Sequence, residues 1–413
     1  MKSIRNVARC VSLILVMAVA SACEDPPPPA PWSFVELRLD GGPSRISAIG
    51  FVPGTHQLLV LLLSGEVQHH LVDAESMSTR LLGSFEIEGA HDSLDCGLIS
   101  VAFDPDFDEN GFVFLGHCTD DQHSAIGRVT FVPGADDDAL DYASVEASYV
   151  TILELGDENA AEPWHNVGSL MFDDEGALLA LFGDKTVRAN AQDLTSPLGG
   201  VVRLFPSRDP EHGGFEAPED PVYSAAGSSP ILFAKGLRSP WMGFRDDRGR
   251  IILGDVGEAT HEEIDVITAP GQNFGWPAAE GPCSGECGGF VDPVLHWDRS
   301  ETHPFVRDDA NAVIGWPRVA WAARASYPDR PDPYAGRLAS SVLYGDMCVG
   351  FVRRMTLDDD GRVASDEHLT HLANATGWDV GPDGYVYAAT FSDRCTTSPG
   401  AQYGRGRLYR LTP

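Results

Sequence analysis

Basic residues are scarce in this sequence. Lysine and arginine number 29 of 413 residues against 61 aspartates and glutamates, which gives a formal net charge of −32. A surface this acidic repels phosphate groups, so nucleic acid and anionic lipid surfaces are excluded as partners. The charge is typical of a solvated exterior in a salty or extracellular medium.

Several common catalytic signatures are also missing. The sequence has no Walker loop, no G-x-S-x-G serine elbow and no H-E-x-x-H metalloprotease motif. Nucleotide, serine hydrolase and zincin chemistries therefore have no support. No stretch keeps an apolar period of 3.6 residues, so we expect few helices.

The N-terminus has the pattern of a targeting segment. Basic residues precede a short apolar run, Val11–Ala20, which ends in the lipobox-like sequence Ala20-Ser21-Ala22-Cys23. This pattern predicts a lipoprotein-type signal peptide over residues 1–22 and a lipid on Cys23. Residues 23–32 would form a proline-rich tether to the folded domain, which we place at 33–413. Cleavage nearby without lipidation is the alternative, and both predict export.

Cysteine usage agrees with export. Besides Cys10 and Cys23, the chain has six cysteines, which allow 15 pairings: Cys96, Cys118, Cys283, Cys287, Cys348 and Cys395. The shortest separations favour the first two pairs, and the last two cysteines would then join. A zinc site is the competing interpretation, but no C-x-x-C pair is present and the compartment is oxidising. We therefore predict disulfides.

One short unit recurs along the chain: an apolar strand, a turn ending in glycine, and a second apolar strand. The turn glycines stand at positions 54, 111, 176, 249 and 384, and a degenerate unit near residues 318–327 fills the double-length gap. Repeats of roughly 65 residues built this way are typical of propeller blades. The sequence predicts an all-β fold, a six-bladed β-propeller of four-stranded antiparallel blades.

Several segments, taken in order, resemble the PQQ-dependent glucose/sorbosone dehydrogenase family. They include Gly97–Phe107 (GLISVAFDPDF) and Trp164–Gly168 (WHNVG). The strongest similarity runs from Gly236–Trp241 (GLRSPW) to Asn273–Pro277 (NFGWP), with GDVG and EEID between them. The ordered series covers most of the chain after the tether.

The resemblance implies a site for pyrroloquinoline quinone (PQQ) and Ca²⁺ on the propeller axis. His165 matches the base that takes a proton from the sugar hydroxyl while hydride passes to the quinone. Gly257 and Glu258 match positions whose main-chain carbonyls bind calcium. Arg238 matches the arginine that contacts the quinone oxygens. Asp95 and Glu262 fall on cofactor-site positions where the family has Gln and Asp, and both could bind calcium or hydroxyls. The expected partners are a small sugar and an exported electron acceptor.

The sequence departs from the family pattern where PQQ needs cations. The family's lysine in the fifth blade falls on Cys348, its arginine pair falls near Asn374 and Thr376, and a glutamine falls on Val187. A similar thinning occurs in the propeller of hedgehog-interacting proteins, which are not regarded as dehydrogenases. Two other functions therefore stay open: a non-catalytic calcium-stabilised propeller that binds a carbohydrate or protein, and a metal-dependent lactonase-like hydrolase.

Overall fold

A computed structural model describes residues 31–90, 96–134, 139–160, 164–283, 288–299, 320–392 and 404–413. Residues 32–413 form one compact unit, which contains every described element. The predicted signal peptide and four predicted residues lie outside the described ranges: Cys23, Asp95, Cys287 and Cys395. In the part of the chain that is described, no helix has the length and apolar character needed to cross a membrane.

Strands dominate the described structure. They are β1 Ser33–Leu37, β2 Ile46–Phe51, β3 Gln57–Leu62, β4 Glu66–Asp73, β5 Ser78–Glu86, β6 Leu98–Phe103, β7 Phe112–Cys118, β8 Ser124–Thr130, β9 Val150–Leu155, β10 Val167–Phe172, β11 Leu178–Phe182, β12 Gly200–Pro206, β13 Phe215–Glu216, β14 Leu232–Lys235, β15 Pro240–Arg245, β16 Ile251–Asp255, β17 His261–Ile267, β18 Leu295–Asp298, β19 Ala320–Arg324, β20 Ser341–Asp346, β21 Phe351–Leu357, β22 Val363–His371, β23 Ala375–Val380, β24 Val386–Thr390 and β25 Arg407–Thr412. The described helices are short: α1 Phe107–Asn110, α2 Tyr142–Ala147 and a 3₁₀ turn over Arg188–Gln192. The expectation of few helices is confirmed for these ranges.

The strands form a ring of antiparallel sheets, which confirms the all-β propeller. Four sheets contain four or five strands each, in the orders β2-β3-β4-β5, β6-β7-β8-β9, β10-β11-β12 with β13 and β14, and β1-β25-β24-β23. The last sheet joins the two ends of the unit, because β1 pairs with β25 along its whole length. The fifth sheet has eight strands, β15 to β18 followed by β19 to β22.

The eight-stranded sheet is the difference from the expected six separate sheets. Its two four-stranded antiparallel halves are joined through one parallel pair, Met242 with Trp321. These residues lie on β15 and β19, the first strand of each half. Strands that converge on a common axis come close together there, so a single bridge is enough to merge two sheets by their hydrogen bonds.

The core lies between neighbouring sheets. One buried apolar cluster packs the β6–β9 sheet against the β10–β12 sheet, and a corresponding cluster separates each other adjacent pair, including the two halves of the eight-stranded sheet. Because both faces of a sheet are covered, strands such as β2, β7 and β11 are buried along their entire length. This explains why the sequence shows continuous apolar runs rather than alternation.

The predicted turns are confirmed. The five turn glycines, at positions 54, 111, 176, 249 and 384, all have φ between 67° and 82°. That left-handed region is costly for residues with a Cβ. The five glycines therefore lie in the hairpin turns that their spacing predicts.

Cysteine pairing is confirmed for one pair. A disulfide joins Cys96 to Cys118, which lie next to the start of β6 and at the end of β7. Cys283 and Cys348 are also disulfide-bonded. Their predicted pairing with residues 287 and 395 stays a prediction, because both of those positions lie outside the described ranges.

Candidate active site

Two of the predicted site residues, His165 and Arg238, come together at the open ends of the first hairpins of two adjacent sheets. His165 lies two residues before β10, and Arg238 lies two residues before β15. Strands β10 and β15 are in close contact, since a Cβ on Gly168 would lie 2.4 Å from the Pro240 carbonyl oxygen. The two residues therefore lie at the same end of the ring of sheets, on the loops that precede β10 and β15. We call this end the mouth.

The β10–β11 hairpin gives His165 a carboxylate partner. Val167 pairs with Phe182, so the positions two residues outside that pair, His165 and Asp184, stand opposite each other. Gly183 allows the approach, because a Cβ there would meet the His165 carbonyl oxygen at 2.4 Å. The His165 Nδ1 atom lies 2.6 Å from Asp184 Oδ1. A carboxylate accepts hydrogen bonds and does not donate them, so His165 Nδ1 is the donor of this pair.

Asp184 is held from three further directions. Its side chain is 1% exposed and also accepts hydrogen bonds from Trp276 Nε1 at 2.8 Å and from the Thr186 main-chain N–H at 2.8 Å. Its own main-chain N–H donates to the Arg238 carbonyl at 2.9 Å. Asp184 therefore fixes the imidazole of His165 and ties the loop after β11 to the entry of β15.

The β15–β16 hairpin repeats this arrangement around Arg238. The Arg238 Nη1 atom donates to the Val256 carbonyl at 2.8 Å, and its main-chain N–H donates to Asp255 Oδ2 at 2.9 Å. Burial raises the pKa of Asp255 to about 6, although the hydrogen bonds that its carboxylate accepts from the main-chain N–H groups of Arg238 and Ser239 oppose the shift. The Arg238 guanidinium carbon lies 5.5 Å from the Trp276 ring centroid. Within the described structure, Arg238 Nε is buried without a hydrogen-bond partner.

Two further cations lie at this mouth. Arg188 lies 5.5 Å from the same Trp276 ring and pairs with the Glu258 side chain. Lys185 is only 1% exposed, and its Nζ donates to Asn166 Oδ1 and to the Gln122 carbonyl, both at 2.6 Å. Sequence reasoning missed Lys185, and the only signal for it was its position directly after Asp184, beyond the same strand. A local cluster of cations in a chain of charge −32 is suited to an anionic ligand.

Glu262 and Gly257 converge on a third arginine. Glu262 is fully buried, and its Oε1 atom contacts Arg299 Nη1 while Oε2 accepts from the Ala320 main-chain N–H at 3.1 Å. Arg299 Nη1 also donates to the Gly257 carbonyl at 2.9 Å. The oxygens therefore point at one cation. The described residues contain no group of three or more His, Cys, Asp or Glu side chains arranged around a metal.

The departures from the family pattern are embedded in the fold. Asn374 and Thr376 are buried, and they donate to the Ser392 carbonyl at 3.1 Å and the Ile46 carbonyl at 2.6 Å. Cys348 is in a disulfide. These positions cannot supply the expected positive charges. The cations near His165 come instead from Lys185 and its neighbours.

A separate channel of about 600 Å³ runs among the inner strands. Its lining includes Trp241, Trp378 and the charged residues that follow the C-terminal ends of these strands, such as Asp174 and Asp247. His165 precedes its strand, so the hydrogen-bonded cluster around it lies toward the opposite ends. We therefore place the candidate site by its chemistry rather than in this channel.

One known family resembles this chain over most of its length. A family model described as Glucose / Sorbosone dehydrogenase matches residues 45–396. The aldose sugar dehydrogenase YliI of Escherichia coli is 26% identical over 357 residues, which cover 83% of this chain and 86% of that protein. The mouse hedgehog-interacting protein is 24% identical over 221 residues, covering 50% of this chain and 31% of that protein.

A solved structure shares the fold. The PQQ-bound aldose sugar dehydrogenase from Streptomyces coelicolor superposes with a TM-score of 0.66 at 22% identity, covering 93% of this chain and 99% of that one. The shared architecture extends over nearly the whole of both chains.

Proposed function

Because the chain belongs to the glucose/sorbosone dehydrogenase family, we propose that it oxidises an aldose to a lactone with PQQ as cofactor and His165 as general base. The observation that carries the proposal is the hydrogen bond of 2.6 Å between His165 Nδ1 and the buried carboxylate of Asp184. In the neutral ring with its proton on Nδ1, Nε2 would be the atom that accepts the proton of a sugar hydroxyl. Asp184 then stabilises the imidazolium that forms.

The site would stand on the axis of six blades. In this interpretation the eight-stranded sheet is two blades, because a buried apolar cluster separates its halves as it separates every other neighbouring pair. Their single shared bridge, Met242 with Trp321, lies between innermost strands. Each blade then delivers the loop before its first strand to the same mouth.

The residues at this mouth fit an anionic, planar cofactor. PQQ is a tricarboxylate, and when bound it supplies the hydride acceptor. Lys185, Arg188 and Arg238 offer positive charge, and the guanidinium carbons of the two arginines each lie 5.5 Å from the Trp276 ring centroid. The buried Arg238 Nε, which has no hydrogen-bond partner among the described residues, is a donor that a carboxylate or quinone oxygen could satisfy. These groups would bind and orient the cofactor beside His165.

A calcium ion would be held next to Arg238. Gly257 and Glu258 would contribute main-chain carbonyls, as the sequence predicts, and Glu262 a carboxylate. The convergence of Gly257 and Glu262 on one guanidinium supports an oxygen-lined cation position. Asp95, the fourth predicted contact, stays a prediction.

Reconstitution tests the enzyme directly. The purified domain is loaded with PQQ and Ca²⁺, and dye reduction is followed with a panel of aldoses. We expect turnover that His165→Ala abolishes without unfolding the protein. His212→Ala is the matched control, because His212 also pairs with an aspartate, at 3.0 Å, but is 74% exposed. Full turnover by His165→Ala, or no PQQ binding by the parent chain, would refute the proposal.

Non-catalytic binding is the second candidate. It is favoured by the similarity to hedgehog-interacting protein and by the loss of cationic side chains at Cys348, Asn374 and Thr376. A sugar or glycan that binds with no PQQ affinity would support it. Lactone hydrolysis that depends on a divalent ion would instead support the lactonase-like function.

We also propose that the protein is exported and anchored through a lipid on Cys23. The disulfide between Cys96 and Cys118 supports an oxidising compartment. A fatty-acid label should appear in the parent protein and disappear in Cys23→Ser. A label retained by that variant would place the lipid elsewhere.

A further inference from the structure

We propose that Arg299 is a tethered cation that occupies the calcium position, and that calcium binds there only after the guanidinium has left. The inference deepens the proposed function, since it concerns the cation position of that site. It can nevertheless be tested without PQQ or a sugar.

The main chain holds Arg299 over the loop that carries the predicted ligands. Arg299 directly follows β18, and its main-chain N–H donates to the Thr260 carbonyl at 2.8 Å. Strand β18 is in register with β17, with Trp297 opposite Glu262. The arginine side chain is thereby directed back toward Gly257 and Glu262.

The guanidinium makes the contacts that a metal ion would make. Arg299 Nη1 donates to the Gly257 carbonyl at 2.9 Å and also contacts the carboxylate of Glu262. Calcium requires six to eight oxygen ligands at about 2.3–2.6 Å. Nη1 lies against the same oxygens, so both cations cannot be bound at once.

Glu262 explains why a cation must always be present. Its side chain is fully buried, and a buried carboxylate is stable only when a positive charge or several donors compensate it. The Ala320 N–H supplies one hydrogen bond, and Arg299 supplies the charge. The arginine is 18% exposed, so it has a path toward solvent when calcium arrives.

Replacement of the Arg299 guanidinium by calcium would change the electrostatics of the proposed cofactor pocket. Arg238 donates to the carbonyl of Val256, the residue before Gly257. The Arg299 guanidinium carries one charge and donates directional hydrogen bonds, whereas Ca²⁺ carries two charges and has no such directionality. The two cations therefore produce different electrostatic fields at this edge of the mouth. Arg299 would therefore set how much calcium is needed to assemble the site.

The test is calcium titration of the full, PQQ-free chain by isothermal calorimetry, with magnesium as a comparison ion. We expect Arg299→Ala to bind calcium at least about tenfold more tightly than the parent at one site, or to gain one site per chain. Arg299→Lys keeps the cation and should not show the gain. Arg188→Ala is the charge-matched control, because Arg188 pairs with the nearby Glu258 side chain.

A double variant keeps the test decisive if Arg299→Ala folds poorly. Arg299→Ala with Glu262→Gln removes the uncompensated carboxylate, so it should fold and lose the calcium gain. Thermal melts give a second readout: calcium should restore the melting temperature of Arg299→Ala but not shift that of the double variant. Equal affinities in parent and Arg299→Ala, or an equal gain in Arg188→Ala, would overturn the proposal. Neither outcome depends on turnover.

Discussion

Replacing Asp184 by asparagine tests how far the site depends on one buried anion. The carboxylate accepts three N–H groups: His165 Nδ1 at 2.6 Å and Thr186 N at 2.8 Å on Oδ1, and Trp276 Nε1 at 2.8 Å on Oδ2. An amide has only one acceptor oxygen, and its nitrogen donates. Whichever way the amide is turned, one N–H faces another.

The cost follows from this geometry. If the amide oxygen stays with His165 and Thr186, the amide nitrogen faces the Trp276 N–H. Two buried donors then lack acceptors, at about 1–3 kcal/mol each, so we expect Asp184→Asn to lower the free energy of unfolding by about 2–6 kcal/mol. The imidazole also loses the charge that stabilises its protonated form. We expect kcat to fall by about 10²–10⁴-fold, the usual contribution of a positioned general base.

A double-mutant cycle with Trp276→Phe tests whether the Trp276 N–H is the donor that faces the new amide nitrogen in Asp184→Asn. Phenylalanine removes the indole N–H, so the amide nitrogen of Asn would no longer face a donor. The double variant should then be more stable than the sum of the two single effects by about 1–3 kcal/mol. Urea unfolding measures stability, and PQQ-reconstituted dye reduction measures kcat.

Two results would refute this reasoning. If Asp184→Asn keeps kcat within about threefold of the parent, the carboxylate does not support the base. If the two substitutions are additive, Trp276 is not the group left facing a donor.

Two further predictions concern stability. Asp265 is fully buried with neither carboxylate oxygen hydrogen-bonded in the described structure, and burial, followed by repulsion from Glu263 and Asp255, raises its pKa. Its contribution to stability is present below the unfolded pKa and is lost as pH rises through the folded pKa, so Asp265→Asn should stabilise the protein more at pH 8 than at pH 5 in urea titrations; an equal or opposite change would contradict this. Gly384 has φ +80° and a Cβ there would lie 1.8 Å from a carbonyl oxygen, whereas Gly54 has φ +69° in open space. Gly54→Ala should cost about 1–2 kcal/mol and Gly384→Ala at least about 2 kcal/mol more, and equal losses would show that the close contact is relieved cheaply.

The ring of sheets could be predicted because it depends on local signals. Each turn glycine marks a hairpin end, and hairpins of similar length recur along the chain. The pairing of β1 with β25 and the bridge between Met242 and Trp321 are different. They depend on how the ring closes and on how near the inner strands approach the axis, which no local pattern encodes.

The anchors of the site could be predicted, but most of their partners could not. His165 and Arg238 stand in contiguous motifs of the family, so they were identified by similarity. Asp184 could have been found from hairpin register, since it stands as far beyond β11 as His165 stands before β10. The same rule places Gly257 opposite Arg238, two residues outside the pair Pro240 and Asp255.

Arg299 shows where this register rule stops. It follows the outermost strand of its sheet, and its contact with Gly257 depends on the register between β17 and β18. The connection between those strands is long, so the sequence does not determine which residue of β18 stands opposite Glu262. Motif comparison therefore cannot identify a cation such as Arg299, which reaches the site from the outermost strand of its sheet. Such a cation can nevertheless decide whether the motif residues bind another cation, because the Gly257 carbonyl and the Glu262 carboxylate cannot contact two cations in the same place at once.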